Sequence, residues 1–334
     1  MATLPLLPDS PTRLVGIARL ASQGEALPEG HNVEFFTLNA RSLLNRAVSK
    51  RQLPFTWTIN PYRGCEFACK YCYARYTHEF MEMRNGVDFD QKIYVKQHAA
   101  NLLRQELRHV KRGDGIAMGA ATDPYQPAER RYQVTREILE EFSRHEGFDL
   151  GIITKSNLIL RDIDLLQEVS SRNHLSVTIT ITTLHTDLAR MLEPRAPRPD
   201  LRLDTVRRLN EAGIYAGVNC APVLPSITDS PRNLGSLVEA VAGVKAKFIH
   251  GNPLYLKPCS AAVFMPFLEE KFPHLVNSYR QRYGTNSFVT PAYRKRIAEI
   301  MQKLTQKYGM NRRDMPPRLK QVLPAPQAAQ MELF

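Results

Sequence analysis

Three cysteines stand close together in the stretch Asn60-Pro61-Tyr62-Arg63-Gly64-Cys65-Glu66-Phe67-Ala68-Cys69-Lys70-Tyr71-Cys72-Tyr73-Ala74-Arg75. Cys65, Cys69 and Cys72 are spaced C-x3-C-x2-C. Three thiolates on one short loop can hold three irons of a [4Fe–4S] cube and leave the fourth iron without a protein ligand. An open iron binds a small molecule, and the protein around it decides which one. A structural zinc site is the competing reading, with His78 as a fourth ligand. Zinc favours four closed ligands, often supplied as C-x2-C pairs. The x3-x2 spacing crowds such a tetrahedron, and the chain has no second C-x2-C pair. An odd total of five cysteines and no secretory signal argue against disulfides.

The pattern, with Tyr71 just before the third cysteine, resembles the signature of the radical S-adenosylmethionine (SAM) enzymes. That resemblance implies a SAM molecule chelated to the open iron through its amino and carboxylate groups. It implies cleavage of the sulfonium C5′–S bond by a cluster electron, and hydrogen abstraction by the resulting 5′-deoxyadenosyl radical. It also places Tyr71 near the adenine.

The elements that must position this loop alternate. Thr56–Asn60 reads as a strand leading into the cysteines, and a helix is predicted over Val95–Val110, with Ala99, Leu102, Leu103 and Leu107 at helical spacing. Further strands are predicted at Ile116–Ala121, Leu150–Thr154, Leu175–Thr183, Ile214–Ala221 and Lys247–Gly251. Helices are expected near Val134–Arg144, Asp162–Ser171, Leu201–Ala212 and Leu234–Val244. Six strand–helix alternations argue for an α/β protein with a parallel sheet. The match is to the partial (β/α)6 TIM-like barrel of the radical SAM enzymes. A late helix opens at Thr290-Pro291, with Thr290 as N-cap and Pro291 at N1. The expected organisation is an N-terminal extension (1–50, with one helix around Ala40–Val48), a barrel core (51–260), a basic helical C-terminal segment (261–310) and a tail (311–334).

Active sites of parallel barrels lie at the C-terminal ends of strands. After the second strand come Thr122 and Asp123, where radical SAM enzymes bind the SAM amino group. An alternative is an Asp-Pro turn with Asp123 capping its own backbone. After the third stand Lys155 and Ser156, and a lysine at a strand mouth can reach a carboxylate or phosphate. Thr182, Thr183 and His185 follow the fourth and are candidates for the SAM ribose and carboxylate. Glu193 and Arg195 come next, Arg195 as a carboxylate fork. Asn219 and Cys220 end the fifth strand, with Cys220 a candidate to quench a substrate radical. His250, Asn252 and Cys259 lie at or beyond the sixth.

Thr-Ile-Asn-Pro-Tyr-Arg-Gly-Cys (58–65), Cys72-Tyr73-Ala74-Arg75 and Thr122-Asp123-Pro124-Tyr125-Gln126-Pro127 resemble the spore-photoproduct-lyase-like branch, many of whose members are labelled DNA repair photolyases. The likeness covers about residues 35–310. That branch carries a hydrogen-donating cysteine beside the second-strand Thr/Ser-Asp element. Here the position is Ala120 or Ala121, which argues against thymine-dimer cleavage by the same route and points to a sister group whose substrate the motifs do not reveal.

Composition narrows the partners. The 334 residues carry a formal charge of +12. Between Arg280 and Lys320, eleven Lys and Arg face only Glu299 and Asp314. Such clustering is the footprint expected for phosphate backbones. No apolar run approaches the ~20 residues of a membrane span, and the first 30 residues lack an apolar signal core. A cytoplasmic location without membrane contact is therefore expected. The chain stops at Gln330-Met331-Glu332-Leu333-Phe334, which is similar to the short peptides by which bacterial proteins dock on the DNA sliding clamp. Leu333 and Phe334 would be its apolar anchors, with Gln330 and Met331 at the pocket rim. The reading is a radical SAM enzyme that abstracts hydrogen from nucleic acid, DNA in preference, with a flavodoxin or ferredoxin as electron donor. Its rivals are a radical SAM enzyme acting on RNA or a protein side chain, and a zinc-stabilised nucleic-acid-binding module.

Overall fold

The computed structural model describes residues 14–30, 33–47 and 53–310. Its strands, in chain order, are β1 (Ala26–Gly30), β2 (Val33–Leu38), β3 (Leu44–Arg46), β4 (Trp57–Ile59), β5 (Tyr62–Arg63), β6 (Lys92–Lys96), β7 (Gly115–Met118), β8 (Asp149–Thr154), β9 (His174–Thr180), β10 (Ala216–Val223) and β11 (Ile249–Pro253). One sheet has the order β11-β10-β9-β8-β7-β4-β3. Six of its strands run parallel in simple succession, with β3 added antiparallel at the edge. This is the expected mixed α/β partial barrel. Among the described residues the sheet does not close on itself.

The strand positions follow from burial on two faces. In β8, Leu150 and Ile152 are buried in the main core, while Ile153 and the last residue, Thr154, line the inner cavity. The helices Val134–Ser143, Ile163–Arg172, Pro199–Glu211 and Pro231–Gly243 connect successive strands. Crossovers of this kind bring all the strand C-termini to one end. The helix Pro291–Lys307 begins as anticipated: Thr290 Oγ1 accepts the Tyr293 N–H at 3.3 Å, with Pro291 in the first turn. It buries Tyr293, Ile297 and Met301, and leaves Arg294, Lys295, Arg296, Lys303 and Lys307 exposed.

Two expectations are corrected. The segment expected as a helix around Ala40–Val48 contains β3 instead, paired Leu44 with Ile59 and Arg46 with Trp57. The Glu106 carboxylate accepts the N–H groups of Leu43 and Leu44, which a helix would have turned inward. The Val95–Val110 helix is also shorter: Lys92–Lys96 is strand β6, and the helix covers only Ala99–Glu106. β6 belongs to a second sheet of order β1-β2-β6-β5. Its Ile93, Tyr94 and Val95 are covered on both faces, a pattern that periodicity cannot separate from a buried helix. The tail residues Gln330, Met331, Leu333 and Phe334 lie outside the described residues.

Candidate active site

Cys65, Cys69 and Cys72 open onto one cavity of about 370 Å³ at the C-terminal end of the parallel strands. Thr122, Asp123, Lys155 and Asn219 share its lining. The cysteine loop is held from several sides. Gly64 enters it at φ +82°, where a Cβ would stand 2.6 Å from the Lys92 carbonyl, so no other residue fits. The Cys65 N–H donates to the Phe89 carbonyl (2.9 Å) and the Lys70 N–H to the Leu192 carbonyl (2.9 Å). Arg75, itself buried, donates to the Cys69 carbonyl at 2.9 Å and pairs with Asp90 at 2.9 Å. The fully buried Ser260 donates to the Cys72 carbonyl at 2.8 Å.

The second-strand motif clamps the same loop. The Thr122 hydroxyl donates to the Gly64 carbonyl at 2.5 Å, and Gln126, fully buried, donates to the same oxygen at 3.2 Å. Glu66 reaches back to accept the Ala128 N–H at 2.6 Å. The Asp123 carboxylate accepts the Thr154 hydroxyl (2.6 Å), the Lys155 N–H (2.8 Å) and the Tyr125 N–H (2.9 Å). The self-capping turn is thus present, and the same carboxylate joins the loops after β7 and β8. Burial pushes the Asp123 pKa up, against the pull of these donors.

Beneath Cys69 lies a buried charged layer. Glu193 and Arg202, each 1% exposed, meet at 2.5 Å. Tyr71 donates its hydroxyl to Glu193, and Thr182 donates to the same carboxylate at 2.9 Å. The Lys155 ammonium stands 5.9 Å from the Tyr71 ring centroid. Burial alone would lower the Lys155 pKa, but the Cys69 sulfur, wherever it is ionised, and the Glu193 carboxylate beside it raise it instead. Lys155 therefore stays cationic at the cavity wall. Burial pushes all three loop thiols up, Cys69 to about 12. In the metal-free loop they are thiols, and a bound metal must displace their protons.

Several anticipated residues stand elsewhere. Cys220 is fully buried in the main core, because β10 turns Asn219 and Ala221 toward the cavity and Cys220 toward the helices. It is not placed to meet a substrate radical. Arg195 is exposed and outside the cavity lining, and Arg202, one turn into the next helix, makes the carboxylate contact instead. Thr182 and Thr183 lie behind the lining, Thr182 supporting Tyr71 and Thr183 accepting the His185 N–H at 3.1 Å. His78 is buried between Phe89 and Tyr94, with Nε2 on the Lys92 carbonyl at 3.0 Å, and burial lowers its pKa to about 4. It is a packing residue rather than a fourth ligand. The Glu193–Arg202 pair gives no sign of itself as a unit in the sequence, since eight residues and a turn separate its members.

Among the described residues no three His, Cys, Asp or Glu side chains converge on a single ion position. A cube spreads its thiolates over three irons, so it needs three cysteines around one cavity rather than around one point. The Asn219 Oδ1 adds a buried acceptor with no hydrogen-bond partner among the described residues, in the same lining. The residues present fit a cluster with a polar organic ligand beside it.

Comparison with known proteins agrees with this geometry. The family model "Radical SAM superfamily" matches residues 59–238. The chain belongs to the radical SAM superfamily, and it is a radical SAM enzyme whose cofactors are a [4Fe–4S] cluster and SAM. It is 35% identical over 304 residues to an uncharacterized protein of Mycobacterium tuberculosis, covering 90% of this chain and 89% of that one. It is 29% identical over 252 residues to an uncharacterized protein of Methanocaldococcus jannaschii, covering 75% and 86%. Its fold is similar to that of spore photoproduct lyase complexed with dinucleoside spore photoproduct, with a TM-score of 0.61, 14% identity, and 82% and 79% of the two chains covered. No helix among the described residues is long and apolar enough to cross a membrane.

Proposed function

We propose that Cys65, Cys69 and Cys72 ligate the cluster, and that Lys155, Asn219 and Tyr71 hold SAM against it. The shared cavity carries this reading: three thiols, a lasting cation and an unsatisfied amide oxygen face one volume. When bound, the cluster supplies the electron that splits the sulfonium of SAM. The chain's own part is placement. Lys155 presents a charge-assisted donor for a carboxylate. The Asn219 Oδ1 accepts from a hydroxyl or ammonium. Tyr71 offers a ring face whose position is fixed by Glu193 and Thr182 behind it. Asp123 acts mainly by joining the loops after β7 and β8, and Thr122 by fixing Gly64.

The substrate we infer is nucleic acid, DNA in preference. Two features support it. The helix Pro291–Lys307 turns five basic side chains outward. At the cavity mouth, Tyr73, 40% exposed, stands beside Tyr255 (6.2 Å) and Tyr76 (6.4 Å), and Tyr255 stacks on Phe288 at 4.3 Å. Aromatic rims of this kind stack bases, while basic faces track phosphates. A similar fold has been solved with a dinucleoside photoproduct bound. Ala120 and Ala121 line the cavity, at the position where the resemblance to the spore-photoproduct-lyase-like branch implies a donor thiol. Hydrogen return by the same thiol route therefore lacks its group, and a different lesion or base is the expected target. Recruitment by a sliding clamp through Gln330, Met331, Leu333 and Phe334, and reduction by a flavodoxin or ferredoxin, complete the proposal. The test is to purify the protein without oxygen, reduce it, and assay SAM cleavage with and without DNA. Cleavage stimulated by DNA supports the reading. Cleavage indifferent to DNA removes the substrate assignment, and no cleavage removes the whole.

A further inference from the structure

A second cavity of about 190 Å³ lies on the four-stranded sheet and shares no lining residue with the cysteine cavity. Arg63 from β5, Lys96 from the end of β6 and Arg41 line it, with no Asp or Glu among the lining residues. Lys96 is 5% exposed. Among the described residues its ammonium makes no hydrogen bond or ion pair, and it opens into this cavity. The acid whose field reaches it, Glu106, is already engaged by the N–H groups of Leu43 and Leu44. Arg63 makes one bond, Nη1 to the Thr77 carbonyl at 3.3 Å, and its buried Nε has no partner among the described residues.

A buried ammonium without an acceptor is destabilising, and it escapes part of that cost only by giving up its proton. Two neighbouring cations in such a place repel as well. Burial and the charge of Arg63 lower the Lys96 pKa to about 7. A chain that keeps both cations at a cavity wall has an anion as the simplest remedy. The cavity suits a tetrahedral oxyanion: a guanidinium forks onto two oxygens, an ammonium caps a third, and Arg41 stands exposed at the rim.

We propose that Lys96 and Arg63, with Arg41 at the rim, form a binding pocket for a phosphate group, separate from the cysteine cavity. The group has two sources, free phosphate and a backbone phosphate of a nucleic-acid strand. The site does not depend on the cluster assignment.

The test uses the full chain with its cluster, in phosphate-free buffer. Inorganic phosphate is titrated calorimetrically against chloride at equal ionic strength. The same titration is run on Lys96→Met and Arg41→Gln, with melting curves of each. Saturable phosphate binding to the wild type is expected, weakened at least tenfold in Lys96→Met and measurably in Arg41→Gln. Lys96→Met should also melt higher than the wild type without phosphate, because it removes an unpaired buried charge. A single-stranded oligodeoxynucleotide then separates the sources. If it competes with phosphate, the strand supplies the group; if it binds without competing, free phosphate does. Phosphate binding that is absent, or equal in the wild type and Lys96→Met, overturns the site. Should Lys96→Met fail to fold, unchanged binding by the exposed Arg41→Gln variant overturns it instead.

Discussion

The side-chain amide of Gln126 donates to the Gly64 carbonyl at 3.2 Å, while its oxygen accepts the Glu66 N–H at 2.9 Å. One fully buried side chain thus ties the loop after β7 to the residues on both sides of Cys65. Two of the three sequence motifs that resemble one family, 58–65 and 122–127, are in space one device.

Removing the Gln126 side chain leaves the buried Glu66 N–H without its acceptor, while the Gly64 carbonyl keeps only the Thr122 hydroxyl. Gln126→Ala is expected to destabilise by about 1–3 kcal/mol, read as a lower urea midpoint, with reduced cluster occupancy after reconstitution. An unchanged midpoint would show that water replaces the amide.

The cysteines should be individually indispensable to the cluster. Cys69→Ala is expected to lose the broad visible absorbance of the oxygen-free protein and all SAM cleavage. Cys220→Ala, in the core, should keep both. Persistence of cleavage in Cys69→Ala would falsify the ligand assignment.

Lys155 should act on cofactor affinity rather than on the cluster. A charge-assisted hydrogen bond contributes about 1.5–3 kcal/mol, roughly tenfold to a hundredfold in affinity. Lys155→Met is therefore expected to weaken SAM binding by that factor while its absorbance stays normal. A loss of absorbance with unaltered SAM affinity would move Lys155 from ligand binding to loop support.

The Glu193–Arg202 pair gives a pH signature. Burial would raise the Glu193 carboxyl, but Arg202 and then Lys155 outweigh it and hold its pKa below the ordinary 4.5. A carboxylate with a depressed folded pKa contributes stability above its unfolded pKa and loses it as pH falls through the folded one. Glu193→Gln should flatten this acid limb of the stability profile below about pH 4.5. Arg202→Met, which strands a buried carboxylate, should destabilise by about 3–5 kcal/mol at neutral pH. Equal stability of that variant at neutral pH would contradict the pairing.

The outward basic face should show itself in salt dependence. If Arg294, Lys295 and Arg296 bind phosphates, replacing all three with Gln lowers the slope of log K against log salt by about 0.7–0.9 for each phosphate no longer neutralised. A slope that does not change would place nucleic acid elsewhere on the molecule.

The sequence by itself determined the chemistry and the alternation of elements. Cys65, Cys69 and Cys72 sit on one loop, so their spacing is local and readable. β8 and the helix Pro291–Lys307 announce themselves through apolar period and capping residues, which are also local. The tertiary structure alone decided what depends on pairing between distant segments. β3 became a strand because β4 offered an edge, and β6 because β2 and β5 flank it. Cys220 and Arg195 were drawn to the site by their neighbourhood in sequence and removed from it by the alternation of a strand and the direction of a turn. Arg202 and Lys96 gave no signal at all, since a charged residue becomes significant only when the fold takes it out of water and sets what stands beside it.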